Sequence, residues 1–149
     1  MLEDIVGEGA AALAYGAVGI ALMALGYLVV DLITPGKLGQ LIWTERNRGA
    51  GLLLATKLAG VGAIITTAIL ASEEGLGEGL VSTGVYGLLG ILLMAVAFFA
   101  LDVLTPGKLG EMVVEADAAA GSQAGIHPAC WVAASADLVA AAIVAAAIS

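Results

Sequence analysis

Side chains that carry chemistry are scarce in this chain. A single cysteine, Cys130, excludes an internal disulfide, and an isolated thiol at a helix start reads as a small buried apolar residue. The one histidine, His127, excludes a multi-histidine metal centre. Followed by Pro128 and Trp131, it reads as a helix entry at a membrane interface rather than as a metal site shared with Glu115 and Asp117. The sequence has no Walker-type loop, no Gly-x-Ser-x-Gly elbow and no cysteine-rich spacing, so neither enzymatic activity nor a cofactor or metal is expected. Positive charge is equally sparse, five Lys and Arg against thirteen Asp and Glu for a net charge of −8, which gives no reason to expect nucleic-acid or anionic-lipid binding. The opening Met1-Leu-Glu3-Asp4-Ile-Val-Gly-Glu8 lacks the basic region of a cleavable signal peptide, so the first apolar run is expected to persist.

What is abundant is apolar surface. With 61% hydrophobic residues, 12% charged residues and a mean hydropathy of +1.07, the chain has too little polar surface to cover a soluble core. Apolar runs lie at 10–30, 50–71, 80–101 and 129–148. Each is about 20 residues long, enough at 1.5 Å per residue to cross a hydrocarbon layer of roughly 30 Å. The runs are continuous and rich in Ala, Leu and Gly, whereas barrel strands are short and alternating, so four transmembrane helices are predicted.

The runs belong to a duplication. Asp31-Leu-Ile-Thr34-Pro35-Gly36-Lys37-Leu38-Gly39 returns as Asp102-Val-Leu-Thr105-Pro106-Gly107-Lys108-Leu109-Gly110, with seven of nine columns identical at an offset of 71. The predicted organisation is two hairpin repeats, 1–76 and 77–149. Each holds two spans, so both copies cross the bilayer in the same sense, and span one should meet span three, or span two span four, around a shared axis along the membrane normal. Lys37, Arg46, Arg48 and Lys108 lie in the connections after spans one and three, while the N-terminus and the connection Ser72-Glu73-Glu74-Gly-Leu-Gly-Glu78-Gly79 hold only acids. The positive-inside rule therefore places both TPGKLG segments in the cytoplasm and both termini outside an inner membrane.

Proline cannot donate a backbone hydrogen bond and disfavours helix at the residue before it, so Thr34 and Thr105 should end their helices or cap the next ones. After Pro35 and Pro106, Leu38, Leu41, Ile42 and Glu45, and in the second copy Leu109, Met112, Val113 and Ala116, fall at spacings of three and four. With Lys37 or Lys108 and Trp43 beside this stripe, each copy reads either as a short amphipathic helix in the cytoplasmic headgroup layer or as a plain connector. Asp31 and Asp102 stand one turn before each break. Each carboxylate can reach headgroup water or accept hydrogen bonds from the following threonine and amides.

Two charges fall inside spans. Aligning the second span of each half sets Ala55-Thr56-Lys57-Leu58 against Ser135-Ala136-Asp137-Leu138, at an offset of 80. A central charge costs roughly 2.5–3.5 kcal/mol on the insertion scale, and each Leu, Ile, Phe or Val returns roughly 0.3–0.6. Span four has about six such residues and returns roughly 2–3.5 kcal/mol, which barely matches its aspartate. Asp137 therefore needs a partner inside the protein, and Lys57 is the candidate, with the alanines around Asp137 allowing close approach. The pair reads either as a clasp between the halves or as part of a proton or cation pathway with Asp31 and Asp102. The spacing Gly79-Thr83-Gly87 reads as helix packing.

The tandem D-x-x-T-P repeat, the stretch Glu45-Arg46-Asn47 and the Gly-Ala-rich second span resemble the bacterial membrane family called domain of unknown function 350, over nearly the whole chain. The resemblance implies a small four-span inner-membrane protein and no particular biochemistry. The second copy departs from the first, with Asp117-Ala-Ala-Ala in place of Arg46-Asn47-Arg48 and a Gly-Ser-Gln-Ala-Gly insertion before His127. The expected role is a membrane scaffold or subunit whose partners are the bilayer and further copies or another membrane protein. The alternative is a small proton or cation transporter.

Overall fold

The computed structural model describes residues 2–33, 38–72, 75–104, 126 and 128–149, all of it helix, turn or short connection among the described residues. Five helices follow in order: α1 (Leu2–Ile33), α2 (Leu38–Trp43), α3 (Arg48–Leu70), α4 (Leu76–Leu104) and α5 (Pro128–Ile148). Four of them, α1, α3, α4 and α5, are long and apolar enough to span a membrane. The lengths exceed the predicted runs mainly at the ends of α1 and α4, which have 32 and 29 residues. At 1.5 Å per residue these two reach about 43–48 Å, beyond a hydrocarbon layer of about 30 Å.

Local chemistry sets the boundaries. α1 ends at Ile33 and α4 at Leu104, each at the position before its Thr-Pro, the same offset as the repeated motif. α5 opens on Pro128, which fits the first helical position because its missing N–H would be unpaired there anyway. At the start of α3, Asn47 is the N-cap, its side chain accepting a hydrogen bond from the Ala50 amide at 2.6 Å. Inside the spans the hydroxyls of Thr56, Thr66, Thr67 and Ser135 donate to carbonyls three or four residues back, so they enter the apolar layer already satisfied.

Contacts give the helix directions. Gly26 of α1 packs on Val61 of α3, Gly19 on Ile65, and the Tyr15 hydroxyl lies 3.2 Å from Ser72 Oγ, so α1 and α3 run antiparallel. On α3 and α5, Lys57 meets Asp137 at the offset of 80 seen in sequence and Gly60 meets Ala141 one residue further on, so these two run parallel. Leu22 of α1 packs against Gly87 of α4, and Gly60 of α3 against Met94 of α4. Helices α3 and α4 share the short diagonal of the bundle and α1 and α5 occupy the far corners. A two-fold exchange of the halves would turn the α3 contact with α4 into an equal contact between α5 and α1. No comparable face joins α5 and α1, so the bundle is sheared away from that symmetry.

The core is aliphatic at the centre, built from Leu22, Val61, Ile64, Ile91, Met94 and Val144. At the other end α2 lies on α3, burying Leu38 and Leu41 against Val30 and Ala50 and leaving Trp43 exposed. This is the amphipathic helix predicted after the first Thr-Pro. The second copy, with Leu109, Met112, Val113 and Ala116, lies outside the described residues. Outward-facing positions on the long helices carry Leu, Ile, Val and Phe, among them Leu13, Leu32, Leu70, Phe99 and Leu104, a surface that lipid tails solvate and water does not.

Candidate functional site

Lys57 and Asp137 each stand nine residues in from the start of their helix, a depth of about 13 Å along the axis. Both are buried at 2% exposure, and Lys57 Nζ lies 2.8 Å from Asp137 Oδ1. A contact this short is a charge-assisted hydrogen bond within the ordinary range for ammonium and carboxylate. The ammonium also sits over the ring of Phe98 on α4, 3.5 Å from its centroid. Three of the four spanning helices thus converge on one cation.

Small residues make the convergence reachable. Ala133, Ala134 and Ala141 of α5 are buried, and a Cβ built on Gly60 would lie 2.7 Å from Ala141 Cβ and 2.9 Å from Met94 Cε. Only a residue without a side chain lets the α3 backbone come this close. The second carboxylate oxygen, Asp137 Oδ2, is buried and has no hydrogen-bond partner, as is Thr83 Oγ1 on α4. Beside the pair is a small cavity of about 10 Å³, lined by Lys57 with Val30, Val61, Met94 and Phe98 among others. That is about the space of one water molecule, and Lys57 is the only polar side chain facing it, whereas a stable buried water needs two to four polar partners.

Of the repeated motif, Asp31 and Asp102 are described. Asp31 Oδ1 accepts a hydrogen bond from the Leu38 amide at 3.0 Å, tying the end of α1 to the first residue of α2 across the Thr-Pro break. Asp102 is half-buried in the last turn of α4. Thr34, Pro35, Gly36, Lys37, Thr105, Pro106, Gly107 and Lys108 lie outside the described residues, as do His127, Glu115 and Asp117. Gly79, Thr83 and Gly87 are buried on α4, and Gly87 receives Leu22 of α1.

Sequence reasoning missed two contributors. Phe98 was one more apolar residue in an apolar span, and with Phe99 directly beside it nothing in the sequence singled it out. Asn47 carried the signal of a cap, an Asn directly before a helix, but drew notice only within Glu45-Arg46-Asn47. The turn it closes is tight, with Arg46 at a φ of 55° and the Asn47 amide donating to the Leu41 carbonyl at 2.9 Å.

The arrangement holds Lys57 and Asp137 together, buried among apolar side chains, with no nucleophile and base set against each other among the described residues. Comparison with known proteins agrees with a transmembrane protein. The chain is 39% identical over 121 residues to a UPF0719 transmembrane protein of Mycolicibacterium paratuberculosis, covering 81% of this chain and 80% of that one. It is 36% identical over 148 residues to UPF0719 transmembrane proteins of Mycobacterium bovis and Mycobacterium tuberculosis, covering 99% of this chain and 92% of each. No solved structure matches. The family model described as Domain of Unknown Function (DUF350) matches residues 1–148, and the chain belongs to that family.

Proposed function

We propose that this multi-pass membrane protein is a non-catalytic scaffold subunit, and that Lys57 and Asp137 are the clasp holding its two halves together. The observation that carries this reading is the direct contact of the two buried charged groups between α3 and α5. Lys57 is spent on Asp137 Oδ1 and on the Phe98 ring, and the adjoining cavity is the size of one water molecule and apolar apart from Lys57. A conduit for ions needs a chain of polar groups or waters, and among the described residues the ion pair and the void beside it form no such chain.

The distribution of basic residues supports an inner-membrane orientation with both termini outside and both TPGKLG connections in the cytoplasm. One observation favours a second reading, transport of protons or cations past Asp137: its Oδ2 is buried without a partner, and such an oxygen is where a proton would reside. Reconstitution into liposomes loaded with a pH-sensitive or cation-sensitive dye separates the two. The scaffold reading predicts the leak of empty liposomes for the wild-type protein and for Asp137→Asn alike. Flux that requires Asp137 would establish the transport reading instead.

A further inference from the structure

The 71-residue offset runs on into the spanning helices, where Tyr15-Gly16 returns as Tyr86-Gly87 and Leu22-Met23-Ala24 as Leu93-Met94-Ala95. Inside the chain, Leu22 of α1 fills the space over Gly87 of α4 and is 5% exposed. The equivalent knob and hole are Leu93 on α4 and Gly16 on α1. Neither is buried as Leu22 and Gly87 are: Leu93 is 42% exposed, and a Cβ on Gly16 would meet nothing within 4 Å. One parallel pair of helices cannot hold both registers at once, because Leu22 against Gly87 and Leu93 against Gly16 require different axial offsets. The shear of the bundle satisfies the first and leaves the second open.

We propose that the unused half of this interface binds a second copy of the chain, with Leu93 of one copy seated over Gly16 of the next. This rests on the scaffold reading and names its partner. Polar groups fall into place in the same register. Seven residues outward from Leu93, the Tyr86 side chain reaches the level of the neighbour's residues 8 and 9. Tyr86 is exposed, with no hydrogen-bond partner among the described residues, and Glu8 is exposed. A phenol donor and a carboxylate acceptor then meet near the outer surface, where neither is satisfied by its own chain.

Leu22 and Gly16 are six residues apart on α1, about 120° around the helix, so the face that meets α4 inside the chain differs from the face offered to the neighbour. The contact is therefore head-to-tail. All copies cross the bilayer in one sense, so its repetition closes about an axis along the membrane normal and produces a ring.

The test introduces Gly16→Cys and Leu93→Cys together into the full chain carrying Cys130→Ala, and oxidises the membranes before non-reducing electrophoresis. The expected result is a reducible ladder ending in a closed species. Gly16→Cys with Leu92→Cys, at the same depth but turned about 100° around α4, should give none. No ladder, or an equal ladder from the Leu92 control, overturns the proposal. A second variant, Gly16→Trp, fills the open groove and should convert the oligomer to monomers with the unfolding temperature unchanged; an oligomer of unchanged size also overturns it. Absence of a ladder from a non-conducting protein contradicts the ring alone, whereas dye flux contradicts the scaffold reading whatever the ladder shows.

Discussion

Lys57 is held by two neighbours of different kinds, a carboxylate that takes one of its three N–H donors and an aromatic face that takes the charge as a whole. A buried cation over a ring is worth about 2 kcal/mol. Phe98→Leu should therefore lower stability by about 1–2 kcal/mol, while Phe98→Tyr, which keeps the ring, should lose less. Denaturant titration in mixed micelles checks the order. Asn47 acts at the same scale by accepting the Ala50 amide at the head of α3. Replacing it with alanine should cost about 1 kcal/mol, with aspartate or serine recovering most of the loss in the same titration.

At the scale of helices, Gly60 is where α3 meets α5 and α4 together, against the Cβ of Ala141 and the tip of Met94. Gly60→Ala places a methyl against Ala141 Cβ, an atom with no rotamer to move, so the backbones must separate. The expected loss is about 1–3 kcal/mol, read as a lowered midpoint of thermal unfolding. Gly62→Ala, on the same helix with nothing within 4 Å of its built Cβ, is the control and should be neutral or slightly stabilising. The tie from Asp31 to the Leu38 amide joins two helices across a proline break. Asp31→Ala should raise hydrogen exchange at Leu38 and its neighbours in α2 without changing exchange in the centre of α3.

Most of the architecture was legible because its causes are local. Run length and composition determine the spans, the Thr-Pro pairs determine where α1 and α4 stop, and spacing gave the apolar stripe of α2. The juxtaposition of Lys57 and Asp137 was approachable for an energetic reason, since a span as poor in large apolar residues as α5 leaves an unaccompanied aspartate without enough compensation. Phe98, the rhombic shear and the close approach at Gly60 depend on which faces of four nearly uniform apolar helices meet. Helices that are hydrophobic all round carry no stripe to reveal this.

For the whole molecule, lipid tails give no hydrophobic drive between helices, so close packing and the buried polar contact must supply the association. Helices α3 and α5 run in the same sense and meet at the charge pair, which the scaffold reading takes as the lock of that seam. The most direct measurement is equilibrium unfolding in bicelles of the wild-type protein, Lys57→Met, Asp137→Leu and the double variant. Each single variant strands a buried charge and should lose about 3–5 kcal/mol, whereas the double variant, with both charges gone, should return to within about 1 kcal/mol of wild type. A double variant as unstable as the sum of the two single variants would contradict the lock.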